Sequence, residues 1–214
     1  MRDRPASLRE VWRDHINIDD YERHMAANGQ AQANASLLED LFVNHAPPLG
    51  ARVLFAGAGA GQCFDYLSSS LLGRYRTTFA DINPAYLERL SRRITGVDYS
   101  TVVDDIEQSR QTGPFDLAIA VLVLEHADWR KAVECLTRQS SRVFTVIQQN
   151  PSEPLPLSLE GTLSVLEELP PVLIDPVALT AAFENRGFGC HRRDSRPVAG
   201  GKTMLALDFV RRLR

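Results

Sequence analysis

The chain reads as an α/β protein built on a parallel sheet with helices on both faces. Three observations predict this. Short apolar segments alternate with helical ones from about residue 51 onward, and the turn Gly57-Ala-Gly59-Ala-Gly61 directly follows the first apolar segment. Residues 115–126 form a continuous apolar run ending in polar groups, as expected of a strand buried on both faces.

Before residue 50 the chain reads as helical, with apolar or small residues recurring through Tyr21, Met25 and Ala26 and then along 31–43. Pro47-Pro48-Leu49-Gly50 stops this pattern. The first strand is Arg52–Ala56, and its glycine turn lets backbone pass where a Cβ would collide with a ligand. A second strand over 75–80 ends in Asp81, about twenty residues past the last glycine, where a carboxylate can accept both hydroxyls of a ribose. Asn83-Pro84 is an N-cap followed by proline at the first helical position, so a helix starts just after that turn. A third strand, Tyr99–Val103, leads into Asp104-Asp105-Ile106, a carboxylate and an aliphatic side chain suited to the amino group and ring of adenine. After the apolar run, Asp128 is placed to cap the next helix. The fifth strand, Arg142–Gln149, runs into a proline-rich stretch over 150–171 that is long for a connection in a compact domain and predicts a lid or substrate wall.

These features point to a nucleotide, and the glycine pattern narrows which one. It reads G-x-G-x-G and puts Gln62 where a dinucleotide fold has its last glycine, which argues against a pyrophosphate cradle. With "FDLAIAVLVLEHADWRKAVECL", "LTAAFENRGF" and "KTMLALDFVRR" in this order, the chain resembles the class I S-adenosylmethionine-dependent methyltransferases from about Ala51 to its end. The resemblance implies a Rossmann-like fold with a mostly parallel sheet and an antiparallel C-terminal strand. It implies S-adenosylmethionine as cofactor and methyl transfer, O- or N-methylation foremost, to a small-molecule acceptor. Gly57, Gly59 and Gly61 would wrap the methionine part, Asp81 would hold the ribose, Ile82 and Ile106 would sandwich adenine, and Asp105 would take its amino group, with Asp104 as a one-residue alternative. The organisation expected is a helical cap over 1–50 and a cofactor-binding domain over 51–214. Two positions depart from the family. Phe55 stands where an acidic residue usually helps hold the amino end of methionine, and Arg138-Gln-Ser-Ser141 replaces the usual Pro-Gly turn before the fifth strand.

Composition bounds the partners. The 214 residues are 44% hydrophobic and 24% charged with a net charge of -3, which gives no basic footprint for nucleic acid. Lys131 and Lys202 are the only lysines, a bias that reads as genome composition. Cys63, Cys135 and Cys190 are scattered and odd in number, so neither a disulfide framework nor a metal spacing is present and the compartment expected is reducing. The amino terminus is charged throughout and lacks a secretory core, and the run over 117–124 is far too short to span a bilayer; a cytoplasmic protein is expected.

The acceptor should lie beyond the carboxyl ends of the strands, roofed by the amino-terminal helices and the 150–171 stretch. His126 is the expected base, because imidazole titrates near neutrality; Glu125 is a second candidate ranked below it, since a carboxylate beside a buried strand can simply cap the next helix. Tyr21 and His24 share a helical face and would line the roof, while Gln148, Gln149 and Asn150 offer amides at the same edge, Gln149 and Asn150 foremost. Cys63 is expected to be a small buried hydrophobe, not a nucleophile. Because the glycine turn, Asp81 and Asp105 all follow residue 51, the amino-terminal segment is expected to govern the acceptor and not the cofactor. Two other classes stay open: a non-catalytic member of the same fold, suggested by Phe55, and a dinucleotide-dependent oxidoreductase, disfavoured by Gln62.

Overall fold

The computed structural model describes residues 7–151 and 161–212, so residues 152–160 of the proposed lid lie outside the described residues. Strands Arg52–Ala56 (β1), Arg76–Asp81 (β2), Tyr99–Val103 (β3), Leu117–Val121 (β4), Arg142–Gln149 (β5), Phe188–Pro197 (β6) and Thr203–Arg211 (β7) form one sheet. Its order is β3-β2-β1-β4-β5-β7-β6, with β1 to β5 parallel and β7 antiparallel to both of its neighbours. The expected Rossmann-like architecture with an antiparallel C-terminal strand is therefore present. Helices are Leu8–Glu10 (α1), Ile18–Ala27 (α2), Gln30–Asn44 (α3), Ser69–Leu72 (α4), Pro84–Arg93 (α5), Trp129–Gln139 (α6), Val165–Glu168 (α7) and Pro176–Glu184 (α8).

The polar residues that flank the apolar segments start the helices. The Asn83 side chain accepts from Ala85 N ahead of α5, and Asp128 accepts from Arg130 N and Lys131 N ahead of α6, both as the sequence predicts. Alternation along the strands then divides the core into two layers. Val53 and Phe55 face a layer built with Leu37, Leu41 and Phe42 of α3, whereas Leu54 and Ala56 face one built with Leu136 of α6 and Phe183 of α8. Burying each of these large side chains contributes on the order of 2 kcal/mol. The last of the amino-terminal helices thus belongs to the same core as the sheet.

The apolar run of 115–126 is not one long strand. Leu122 has φ 51°, which ends β4 at Val121, and the chain turns into a short 3-10 segment, Leu124–His126. This turn carries Val123 onto Gly57 and leaves Glu125 and His126 at the edge of the sheet, above the point where the chain switches from the β2 side of β1 to the β4 side. Such a switch opens a crevice at the carboxyl ends of the strands.

A third apolar cluster closes that crevice. Val11 and Ile16 pack with Tyr86 of α5 and with Leu163 and Leu166. Asp20 Oδ2 accepts from both the amide and hydroxyl of Thr162, tying the amino-terminal segment to the chain that follows β5. Glu22 holds Arg89 and Arg93 of α5, which fixes the same segment to that helix.

Candidate functional site

Two cavities lie side by side under this roof. The first, about 660 Å³, is lined by Gly57, Gly59, Asp81, Ile82, Asp104, Asp105, Ile106 and Glu107 from the sheet edge and by Arg9, Trp12 and Tyr21 from above. All three glycines of the turn have positive φ, 69° at Gly57, 58° at Gly59 and 74° at Gly61, yet they serve different needs. A Cβ on Gly57 would sit 2.3 Å from Val123 Cγ2, so that position is closed by the turn after β4. A Cβ on Gly59 would come no nearer than 3.8 Å to Tyr21 Cε1 and would project into open cavity. Gly61 corrects the expectation: it lines none of these cavities, and its Cβ position lies 3.0 Å from Leu90 and 3.2 Å from Phe64, which makes it a packing glycine.

Asp81 is both a wall of the first cavity and a staple of its floor. Its Oδ2 accepts from Gly59 N at 2.8 Å and its Oδ1 from Asn83 N at 2.9 Å. Burial pushes its carboxyl up to about 6, against the pull of these backbone donors. The side chain of Asn83 donates to Trp12 O at 3.1 Å, so one turn sets the carboxylate, starts α5 and fixes the roof. Asp105 borders the cavity, forms an ion pair with Arg9 Nε at 2.6 Å and accepts from Glu107 N at 3.0 Å. The neighbouring Asp104 accepts from the Ser109 hydroxyl and Arg110 N. The amino-terminal segment, expected to govern the acceptor and not the cofactor, reaches both cavities: Arg9, Trp12 and Tyr21 line the first, and Trp12 and Tyr21 also the second.

A recess behind the glycine turn answers the question raised by Phe55. Phe55 borders it but stacks within the core, 5.0 Å from the ring of Phe79 and 5.4 Å from that of Phe64. Asn34 of α3 reaches the same recess, is 1% exposed, and its Oδ1 has no hydrogen-bond partner. An unpaired buried carbonyl is costly unless something else supplies the donor. The sulfur of Cys63 lies there too, and burial pushes the thiol up to about 12, in keeping with an inert side chain.

The second cavity, about 690 Å³, is bounded by Trp12, Tyr21, His24, Met25, Leu122 and His126 and by Gln30, Glu125, Gln148 and Lys202. Of the amides named from the sequence, Gln148 enters it and Gln149 does not, because neighbouring residues of a strand face opposite sides. Gln149 Nε2 donates to the carbonyls of Gln148 and Ile174, and Asn150 lies behind Gln148, accepting from its Nε2 at 2.7 Å. His24 lines the wall, its pKa held below the ordinary value by burial and by Lys202.

Trp12, Tyr21, Leu122 and His126 border both cavities. The ring of His126 packs edge-on to Trp12 with centroids 4.5 Å apart, its Nδ1 is buried without a partner, and burial lowers its pKa to about 4. Imidazole is therefore neutral across the physiological range. Glu125 is 3% exposed; Oε1 accepts from Gln148 N at 2.6 Å, and Oε2 has no partner. Burial raises its carboxyl from 4.5 to about 7, a group of different character from a simple helix cap.

That displacement of Glu125 has a measurable consequence. Its raised pKa means the fold favours the neutral carboxyl, so its stabilising contribution is complete below pH 4.5 and lost as pH rises through about 7. Glu125→Gln is expected to raise stability at pH 8 by about 3 kcal/mol and at pH 5 by less than about 1 kcal/mol. Thermal melts at the two pH values check this, and equal melting temperatures for parent and variant at pH 8 would refute it.

The residues missed in the sequence are Arg9, Trp12, Asn34, Glu125 as a cavity group, and Lys202. Trp12 carried a signal, being one of two tryptophans and the one in a charged amino-terminal stretch. Lys202, one of two lysines, carried another.

Residues 53–143 match the family model of a methyltransferase domain. No curated protein matches the sequence. Among solved structures, the fold is similar to magnesium protoporphyrin IX methyltransferase from Synechocystis, crystallised with bound S-adenosylmethionine. That likeness has TM-score 0.75 and 14% identity, covering 98% of this chain and 100% of that one. The N-methyltransferase NodS from Bradyrhizobium japonicum, crystallised with S-adenosylhomocysteine, aligns with TM-score 0.60 at 14% identity over 96% of both chains. Geranyl diphosphate C-methyltransferase from Streptomyces coelicolor aligns with TM-score 0.61 at 12% identity, over 83% of this chain and 79% of that one.

Proposed function

We propose that this chain, which carries a methyltransferase domain over residues 53–143, transfers a methyl group from S-adenosylmethionine in the first cavity to a small-molecule acceptor in the second. The observation that carries the reading is the shared border: Trp12, Tyr21, Leu122 and His126 separate two adjoining spaces. The residues present fit the cofactor. Gly59 leaves a Cβ-sized opening, Asp81 is set for ribose hydroxyls, and Ile82 and Ile106 flank the place of adenine. Asp105 takes the adenine amino group on Oδ1, the oxygen that Arg9 does not pair with and that already accepts from Glu107 N. The orphaned Oδ1 of Asn34 accepts from the amino end of methionine in place of the acidic residue that Phe55 displaces.

Bound S-adenosylmethionine supplies a methyl group already activated on a sulfonium, so positioning and exclusion of water supply much of the acceleration. Trp12 and Tyr21 do the excluding here, since each covers both spaces. Neutral His126, which borders both cavities, takes the proton of the acceptor. A cytoplasmic location and action away from nucleic acid follow from the free cysteines and the net charge of -3. Among the described residues no helix is long and apolar enough to cross a membrane.

The test is calorimetric binding of S-adenosylhomocysteine followed by transfer of labelled methyl to a metabolite panel; failure to bind would end the proposal. Asp81→Ala is expected to cost about 1.5–3 kcal/mol of cofactor affinity. It should also lower the melting temperature of the free protein, because Gly59 N and Asn83 N lose their acceptors. Unchanged affinity with a lowered melting temperature would make Asp81 a staple alone.

A further inference from the structure

Lys202 stands immediately before β7, at the carboxyl ends of the parallel strands, and is 5% exposed, yet no carboxylate pairs with it among the described residues. A buried ammonium without a partner is an expensive group to keep. It lies in the wall of the second cavity, close enough to His24 to depress the imidazole's pKa, and it is the only lysine or arginine among the described lining residues. Beside it, Gln30 Nε2 donates to Gln148 Oε1 at 2.9 Å, a linked pair of amides at the same wall. The rest of the lining includes the apolar side chains of Met25, Leu163, Leu166, Pro171 and Leu173.

We propose that Lys202 receives the carboxylate of the acceptor, so that this cavity takes a small carboxylic acid with an apolar body. The proposal rests on the functional reading above in treating the cavity as the acceptor site. One cation beside neutral amides matches a single negative charge; a phosphate dianion would call for a second cation, and none lines the space among the described residues. Polarity within the cavity also sets the orientation. With the carboxylate on Lys202 just before β7, the rest of the molecule extends over the apolar side chains toward His126 at the shared border, presenting its nucleophile to the first cavity. The unpaired Oε2 of Glu125 repels a second carboxylate at that wall when ionised, which restricts the acid to one pose.

The experiment titrates benzoate, phenylacetate, indole-3-acetate and octanoate, each against its uncharged amide, with phenyl phosphate as a further arm. Binding is read from Trp12 emission in a Trp129→Phe background, in the presence of saturating S-adenosylhomocysteine. At least one acid is expected to bind about tenfold or more tightly than its amide, the gap expected when a charge pair is made in a sheltered site. The preference should vanish in Lys202→Met and survive in Lys202→Arg. Lys202→Met should also melt higher than the parent, because an unpaired buried charge is gone. No acid preferred over its amide, a preference retained in Lys202→Met, or phenyl phosphate preferred over every acid would each overturn the proposal. Calorimetry with S-adenosylhomocysteine alone distinguishes the two levels. Loss of that binding in the parent refutes the methyltransferase reading, whereas intact binding without an acid preference refutes only the role of Lys202.

Discussion

Gly59→Val is expected to weaken S-adenosylhomocysteine binding by more than about 100-fold while the protein still folds, about 2.7 kcal/mol or more. The reasoning separates three glycines that look equivalent in sequence. At Gly59 an added Cβ comes no closer than 3.8 Å to the neighbouring side chains, those of Tyr21 and Gln62, so added bulk goes toward the first cavity, where the methionine part is proposed to lie. The variant also takes φ 58° with a branched Cβ, at a cost of about 1–3 kcal/mol, which is survivable for a domain of ordinary stability. Gly61→Ala is the control. It forces Leu90 and Phe64 aside and should lower the melting temperature, yet leave cofactor affinity close to that of the parent. Gly57→Ala, by contrast, drives a Cβ into Val123 and damages the turn that carries Glu125 and His126, so it should harm fold and binding together. Calorimetry and thermal melts on the three variants read out the series, and a Gly59→Val protein that binds as tightly as the parent would place the cofactor elsewhere.

The same glycines show which parts of the molecule the sequence made legible. Strand positions, helix caps and the sheet-edge positions of Asp81, Ile82, Asp105 and Ile106 are local: each follows from a strand end and the turn after it, and the structure puts all four on one cavity. What could not be read depends on residues distant in sequence meeting across the fold. Gly61 resembles Gly59 until Leu90 is seen against it. Asn34 looks like a polar position in an ordinary helix until Phe55 turns into the core and leaves the amide facing the recess. Gln148 and Gln149 are indistinguishable by composition, and only strand phase decides which one enters the cavity. Lys202 is separated from Glu125 by 77 positions, the difference between their numbers, and nothing in either segment announces that both border one space. Trp12 needed the Asn83 side chain, 71 residues on, to hold its carbonyl over the site.

The largest effect on turnover is expected at the border between the cavities. His126→Ala should lower kcat by about 100-fold or more with S-adenosylhomocysteine affinity nearly unchanged, the usual scale for loss of a positioned base. Burial lowers the imidazole pKa to about 4, which at first argues against a base. It decides instead what kind of proton the group can take. When a hydroxyl attacks a methyl group its oxygen becomes positively charged and its proton strongly acidic, so even a weak base removes it. A protonated amine must lose its proton before it can attack, and a base this weak cannot hold enough of it. Base catalysis by His126 therefore goes with a hydroxyl acceptor, and kcat should stay flat from pH 8 to pH 5, falling only as the imidazole is protonated near pH 4. Glu125 provides the contrasting outcome. With its carboxyl pushed up to about 7, Oε2 buried and unpaired, and the residue lining the proposed acceptor cavity, a base at this position gives a limb near pH 7 that Glu125→Gln abolishes. A limb near 7 with little effect of His126→Ala would move the proton transfer to Glu125 and favour an amine acceptor. Read together with Lys202, a flat profile and a loss in His126→Ala describe an acceptor held by its carboxylate at one end and methylated on a hydroxyl at the other.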